Sequence, residues 1–122
     1  MIGYLIVGTN DLPKAAAFYD ELFALVGGAR MMEEDTFVAW TNGKPGAAFA
    51  VSKPFDGNAA SVGNGSMAAI SVATEGEVKA VYAKAIELGG TDEGEPGPRG
   101  DNFYAGYFRD LDGNKLNVYL AA

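Results

Sequence analysis

The feature that most constrains this chain is that it is written twice. The segment "NDLPKAAAFYDELFALVGG" has the punctuation of a helix: Asn10 or Asp11 as N-cap, Pro13 in the first turn, apolar residues at helical spacing through Leu25, and Gly27-Gly28 as the stop. The segment "EGEVKAVYAKAIELGG" repeats the plan. Glu75 and Glu77 stand in its first turn, Val78, Val81, Tyr82, Ala85 and Ile86 form the apolar stripe, and Gly89-Gly90 closes it. Tyr19 and Tyr82 are 63 positions apart, as are Gly27 and Gly90. A chain of 122 residues with such a period holds two copies of one supersecondary unit.

Each expected helix follows a strand, at 2–8 or 67–73, and precedes short β-type segments. These fall near 29–34, 36–41 and 47–53 in the first copy, and near 91–93, 103–109 and 115–120 in the second. The unit is therefore βαβββ. The chain reads as a single α+β domain, 1–122, with module one at 1–56, a small-residue linker at 57–65 and module two at 66–122. In "GNAASVGNGS" the sequon Asn64-Gly65-Ser66 lacks any accompanying secretory signal, and no lysine sits in a phosphate-cradling frame, so a linker is the better reading.

Composition removes several kinds of chemistry. There is no cysteine, so disulfides, thiolate metal sites and cysteine nucleophiles are excluded. There is no histidine, which removes imidazole ligands, the usual general base near neutral pH, and every Ser-His arrangement. The formal charge of −7 with nine scattered Lys and Arg argues against nucleic acid or anionic lipid as partner, and mildly favours a cationic ligand. The start, "MIGYLIVGTND", has neither a basic leader nor a small-residue cleavage site, and no apolar run has the ~18–20 residues that span a bilayer. A cytoplasmic protein without membrane partners is the expectation.

The order of fragments "VGTNDLPKAAAFYDEL", "GSMAAISVAT", "GGTDEGEPGPRG" and "FRDLDGNKLNV" resembles the vicinal oxygen chelate superfamily, the glyoxalase, bleomycin-resistance and extradiol-dioxygenase group, over essentially the whole chain. The resemblance implies two tandem βαβββ modules forming a curved mixed sheet around a concave cleft, with helices on the outer face, and a homodimer. It also locates the four positions that carry His or Glu in metal-using members: Tyr4, Ala50, Met67 and Asn117. None is an imidazole or a carboxylate, and alanine and methionine offer nothing useful to a hard divalent cation. No metal and no other cofactor is expected. Leu111 also departs from the family, which usually has Pro there. Glu33, Glu34 and Asp35 cluster between two strands, where a solvated turn is the ordinary role.

Strand parity separates a helix-facing side from an open one. In the last strand Leu116, Val118 and Leu120 make core, leaving Lys115, Asn117 and Tyr119 open; in the first, Leu5 and Val7 face the helix and Ile2, Tyr4 and Ile6 do not. A hairpin on Asp112-Gly113 in which Asp110 faces Lys115 places Phe108 beside Asn117, with Tyr104 following by parity; a slip of one residue replaces them with Tyr107 and Arg109. The ligand-binding candidates are thus Tyr4, Ile6, Ala50, Met67, Ala69, Tyr104, Phe108, Asn117 and Tyr119, an apolar and aromatic set with a few polar groups, as small-molecule sites have. Tyr4, Tyr119 or a buried carboxylate could serve as acid or base, but no spacing singles out a catalytic pair. Arg109 or Lys115 could hold an anionic group, and Arg99 lies in a Gly/Pro-rich loop of the kind that closes over sites.

Three readings of function follow, from different classes. The first is a metal-free member of the superfamily that binds a small apolar, aromatic or cationic molecule. The second is a glyoxalase-like lyase or isomerase, or a dioxygenase-type enzyme. A third is an assembly module whose open face is filled by its own side chains.

Overall fold

The computed structural model describes residues 1–121, and the chain divides into two compact units that meet between Val62 and Gly63, inside the expected linker. The first contains β1 (Tyr4–Gly8), α1 (Leu12–Ala24), β2 (Ala29–Glu33), β3 (Phe37–Thr41) and β4 (Ala48–Ser52). The second contains β5 (Ala68–Ser71), α2 (Glu75–Glu87), β6 (Thr91–Pro98), β7 (Phe103–Arg109) and β8 (Lys115–Ala121). Each is a βαβββ module with one four-stranded mixed sheet, ordered β1-β4-β3-β2 and β5-β8-β7-β6. In each, the first strand lies parallel to the last and the other neighbours run antiparallel. This is the α+β architecture of tandem βαβββ modules that the repeat predicts.

The helices start where their side chains can cap them. The Asp11 carboxylate accepts from the Lys14 backbone N–H at 3.2 Å, with Pro13 just inside α1. Thr74 caps α2: its hydroxyl accepts from the Glu77 N–H at 3.1 Å while the Glu77 carboxylate receives the Thr74 hydroxyl at 3.2 Å and the Ala73 N–H at 3.3 Å.

They end on paired glycines, each with a separate task. Gly27 and Gly89 take positive φ, 75° and 103°. The following glycines, Gly28 and Gly90, donate at 2.8 Å to the carbonyls of Phe23 and Ala85 five residues back. A Cβ on Gly90 would stand 2.7 Å from the Ala85 carbonyl oxygen and 2.8 Å from that of Arg109, so no side chain fits. The conformationally equivalent glycines are thus Gly27 and Gly89, one residue short of the helical period.

One face of each sheet is covered by its helix. In the first module the fully buried Tyr19 ring is ringed by Phe18, Phe23, Trp40 and Phe49, with centroids 4.7–5.7 Å away. The second module packs Val78, Val81 and Ala85 of α2 against Phe108, Leu116 and Val118, all buried. Outside the core, Asp20 takes a two-pronged bond from Arg30 (2.9 and 2.7 Å) and the indole N–H of Trp40 (2.9 Å). Those bonds, the Arg30 bond foremost, hold the Asp20 carboxyl below its ordinary value of 3.8.

The sheet differs from expectation in β6. A short strand at 91–93 and a Gly/Pro loop are expected; the strand instead runs to Pro98, with register shifts between Asp92 and Gly94 and again between Gly94 and Gly97. β6 is the edge of its sheet, where prolines lacking an N–H and bulged residues are tolerated.

Candidate functional site

The helix-free face of the second sheet is built from the alternate residues of β5, β8, β7 and the end of β6. Pairing puts Ala69 beside Asn117, Ser71 beside Tyr119, Tyr107 across from Asn117, Ala105 across from Tyr119, and Arg109 across from Lys115. Phe103 stacks on Tyr119 with centroids 5.2 Å apart and planes at 17°. Arg109 pairs with Glu93 and donates to the Gly113 carbonyl at 2.9 Å, so its charge is engaged.

The register here corrects two site assignments. Phe108 pairs with Leu116 and Tyr104 with Leu120, which places both on the side that α2 covers, and Phe108 is 0% exposed. The cause is the turn. The Asp110 N–H donates to the Asn114 carbonyl (2.9 Å) and the Gly113 N–H to the Asp110 carbonyl (3.1 Å), with Gly113 at φ 89°. This is a three-residue loop with a glycine bulge rather than the four-residue loop expected. Asp110 enforces it, because its buried carboxylate accepts from the backbone of Asp112 and Asn114 and from the Asn114 amide, each at 2.9 Å. An Asp followed three residues later by Gly is the signature of a type I turn, and that signal could have found Tyr107 and Arg109.

Asn117 is the most unusual member of the face. It is 1% exposed, and its Oδ1 has no hydrogen-bond partner among the described residues. Buried polar atoms are ordinarily satisfied, since leaving one unpaired costs about 1–3 kcal/mol.

In the first module, Tyr4 and Ile6 pair with Ala48 and Ala50, on the side away from Phe49 and Val51 that face α1, as the alternation predicts. Tyr4 and Ile6 are exposed, whereas Ala50 is buried beside Ala39. Met67 lies one residue before β5 and is exposed. Glu34 and Asp35 form the turn between β2 and β3, closed by the Glu34 N–H to the Phe37 carbonyl (2.8 Å), and Glu33 pairs with Arg30. Among the described residues no three His, Cys, Asp or Glu side chains gather as a metal site would need, and no helix is long and apolar enough to cross a membrane.

The family model described as Glyoxalase/Bleomycin resistance protein/Dioxygenase superfamily matches residues 1–118. The chain belongs to this superfamily. A solved glyoxalase/bleomycin resistance protein from Albidiferax ferrireducens T118 is 31% identical, with a TM-score of 0.92 over 100% of this chain and 99% of that one. A hypothetical protein from S. aureus, SA1046, is 24% identical, with a TM-score of 0.77 over 97% and 91%. A lactoylglutathione lyase from Agrobacterium tumefaciens shares the fold at 20% identity, with a TM-score of 0.72 over 98% and 92%. No curated protein matches the chain. At the four positions where the resemblance places metal ligands, Tyr4, Ala50, Met67 and Asn117, the chain carries a phenol, a methyl, a thioether and a carboxamide, and of these the amide oxygen of Asn117 is the neutral oxygen donor of ordinary strength for a hard cation.

Proposed function

We propose that the protein binds a small, planar, largely apolar molecule on the open face of the second sheet, without a metal, and holds it rather than transforming it. The observation that carries this reading is Asn117 Oδ1, buried and unpartnered among the described residues, beside Tyr107, Tyr119 and Ala69. A ligand with an O–H or N–H donor would satisfy that oxygen while its ring covered the aromatic surface, so area supplies affinity and one polar group supplies orientation. The donor set Tyr4, Ala50, Met67 and Asn117 does not fit a divalent cation, which needs several oxygen or nitrogen ligands to repay its dehydration. Chemistry on the bound molecule lacks an imidazole or thiol, and the Glu93 carboxylate is engaged with Arg109.

The test pairs two titrations of the purified protein. Elemental analysis and calorimetry with Ni²⁺, Zn²⁺, Mn²⁺ and Fe²⁺ are expected to give no stoichiometric metal and no binding heat, while 2-naphthol binds at one site per chain. One tightly held metal per chain would bring the lyase or dioxygenase reading forward, and no binding of 2-naphthol or of its charged analogues would remove the ligand reading.

A further inference from the structure

The same face carries positive charge that the acidic chain leaves free. The Arg99 guanidinium carbon lies 5.4 Å from the centre of the Tyr107 ring, and Lys115 Nζ lies 5.7 Å from the same centre. The ion pairs among the described residues are made by Arg30, Lys84 and Arg109; neither Arg99 nor Lys115 has a carboxylate at that distance.

Arg99 is seated, not merely present. Its Nη2 donates to the Glu95 carbonyl at 2.7 Å, and Nη1 lies 3.4 Å from that of Pro98. The bulged strand leaves the room it occupies: a Cβ on Gly94 would stand 3.2 Å from Nη2 and 3.3 Å from Tyr107 Cδ1, and one on Gly97 would stand 3.2 Å from Nη1. Gly94 also sits at φ 153°, outside the range that side-chain-bearing residues readily adopt. Two glycines and two register shifts in an edge strand thus place a guanidinium against the ring that stands directly across from Asn117.

We propose that the ligand class of this face is an aromatic carboxylate bearing a hydroxyl or amino group. Its ring lies on the aromatic surface at Tyr107, its carboxylate takes charge-assisted hydrogen bonds from Arg99 and Lys115, and its donor reaches Asn117 Oδ1. The net charge of −7 points the other way, towards a cation, but screening confines exposed charges to roughly 8–10 Å, and within that reach Glu93 is engaged with Arg109 while Glu95 meets Arg99 through its backbone carbonyl, which leaves Arg99 and Lys115 without a carboxylate in ion-pair contact. The proposal rests on the reading of this face as a ligand site and adds the ligand's charge and polarity to it.

Three probes share a naphthalene ring and a phenolic O–H and differ in charge at pH 7: 2-naphthol, 6-hydroxy-2-naphthoate and 6-(aminomethyl)-2-naphthol. Calorimetric titration is expected to rank them anion, neutral, cation, with about tenfold between successive members. The first ratio should shrink as salt is raised. In the Arg99→Gln/Lys115→Gln double variant, folded by its unfolding midpoint, the anion-to-neutral ratio should collapse to within about threefold. 6-Methoxy-2-naphthoate, which keeps the charge and lacks the donor, should bind about tenfold more weakly than the hydroxy acid. Equal affinities for the three probes, or tightest binding of the amine, would overturn the anionic class while leaving the ligand site standing. Equal affinities of the methoxy and hydroxy acids would overturn the role of Asn117. Failure of all the probes to bind would sink the site itself.

Discussion

Replacing Asn117 by leucine should make the ligand-free protein more stable. A buried amide oxygen without a partner among the described residues costs about 1–3 kcal/mol, and removing the polar atom while keeping a side chain of the same branching recovers it. The two methyl groups are bulkier than the oxygen and NH₂ they replace, which offsets about 1 kcal/mol, and the small neighbour Ala69 on β5 limits that cost. The expected net gain is about 0–2 kcal/mol. For 122 residues at about 2.1 cal/mol/K of unfolding entropy each, 1 kcal/mol shifts the midpoint by about 4 °C, so calorimetry should record a rise of up to about 8 °C. Urea unfolding of the same variant should show the gain as a higher midpoint at unchanged slope. A fall of 1 kcal/mol or more would refute the reasoning, because it would mean that Asn117 contributes to the fold and is not held in reserve for a ligand. The same variant should also lose the discrimination between hydroxy and methoxy naphthoates.

Gly90→Ala should destabilise by about 1–3 kcal/mol in urea unfolding, because its Cβ meets two carbonyl oxygens closer than 3 Å; Gly43→Ala tests backbone conformation alone, since nothing lies near its Cβ, and should cost less. Asp20→Ala should cost about 1–3 kcal/mol, mostly by orphaning the indole N–H of the 2%-exposed Trp40, with little from the solvent-screened Arg30 pair. The wild type should lose Asp20's share of stability on acidification. Its carboxyl is depressed in the folded state, so that share is present above the ordinary 3.8 and disappears as pH falls through the lower folded value, a slope that Asp20→Asn should flatten. At the alkaline end, burial first and then the 2.7 Å bond to Asp92 push the Tyr82 phenol up to about 12 from 10.0. The raised folded value makes its contribution complete below pH 10 and lost as pH rises through about 12; stability measured across that window should decline less in Tyr82→Phe.

The linear order of residues by itself determined the two-module plan, both helices with their glycine stops and the N-cap of the first, and the side of β8 on which Asn117 lies. These depend on local periodicity and short-range hydrogen bonds, and in β8 the alternation of Leu116 and Val118 with Lys115 and Asn117 leaves one choice of face. Only the tertiary structure decided what stands around Asn117. In β7 both parities are apolar, Phe103, Ala105 and Tyr107 on one and Tyr104, Gly106 and Phe108 on the other, so hydrophobicity does not choose between them. The choice is made by the buried Asp110 carboxylate, which shortens the turn and moves the register by one residue. The seat of Arg99 is likewise invisible in "DEGEPGPRG", which reads as a loop until pairing with β7 extends it into a bulged edge strand and brings the guanidinium against Tyr107. Cross-strand pairing joins residues distant in sequence, and that is why the face was legible in kind, aromatic with one amide, but not in its members or its charge.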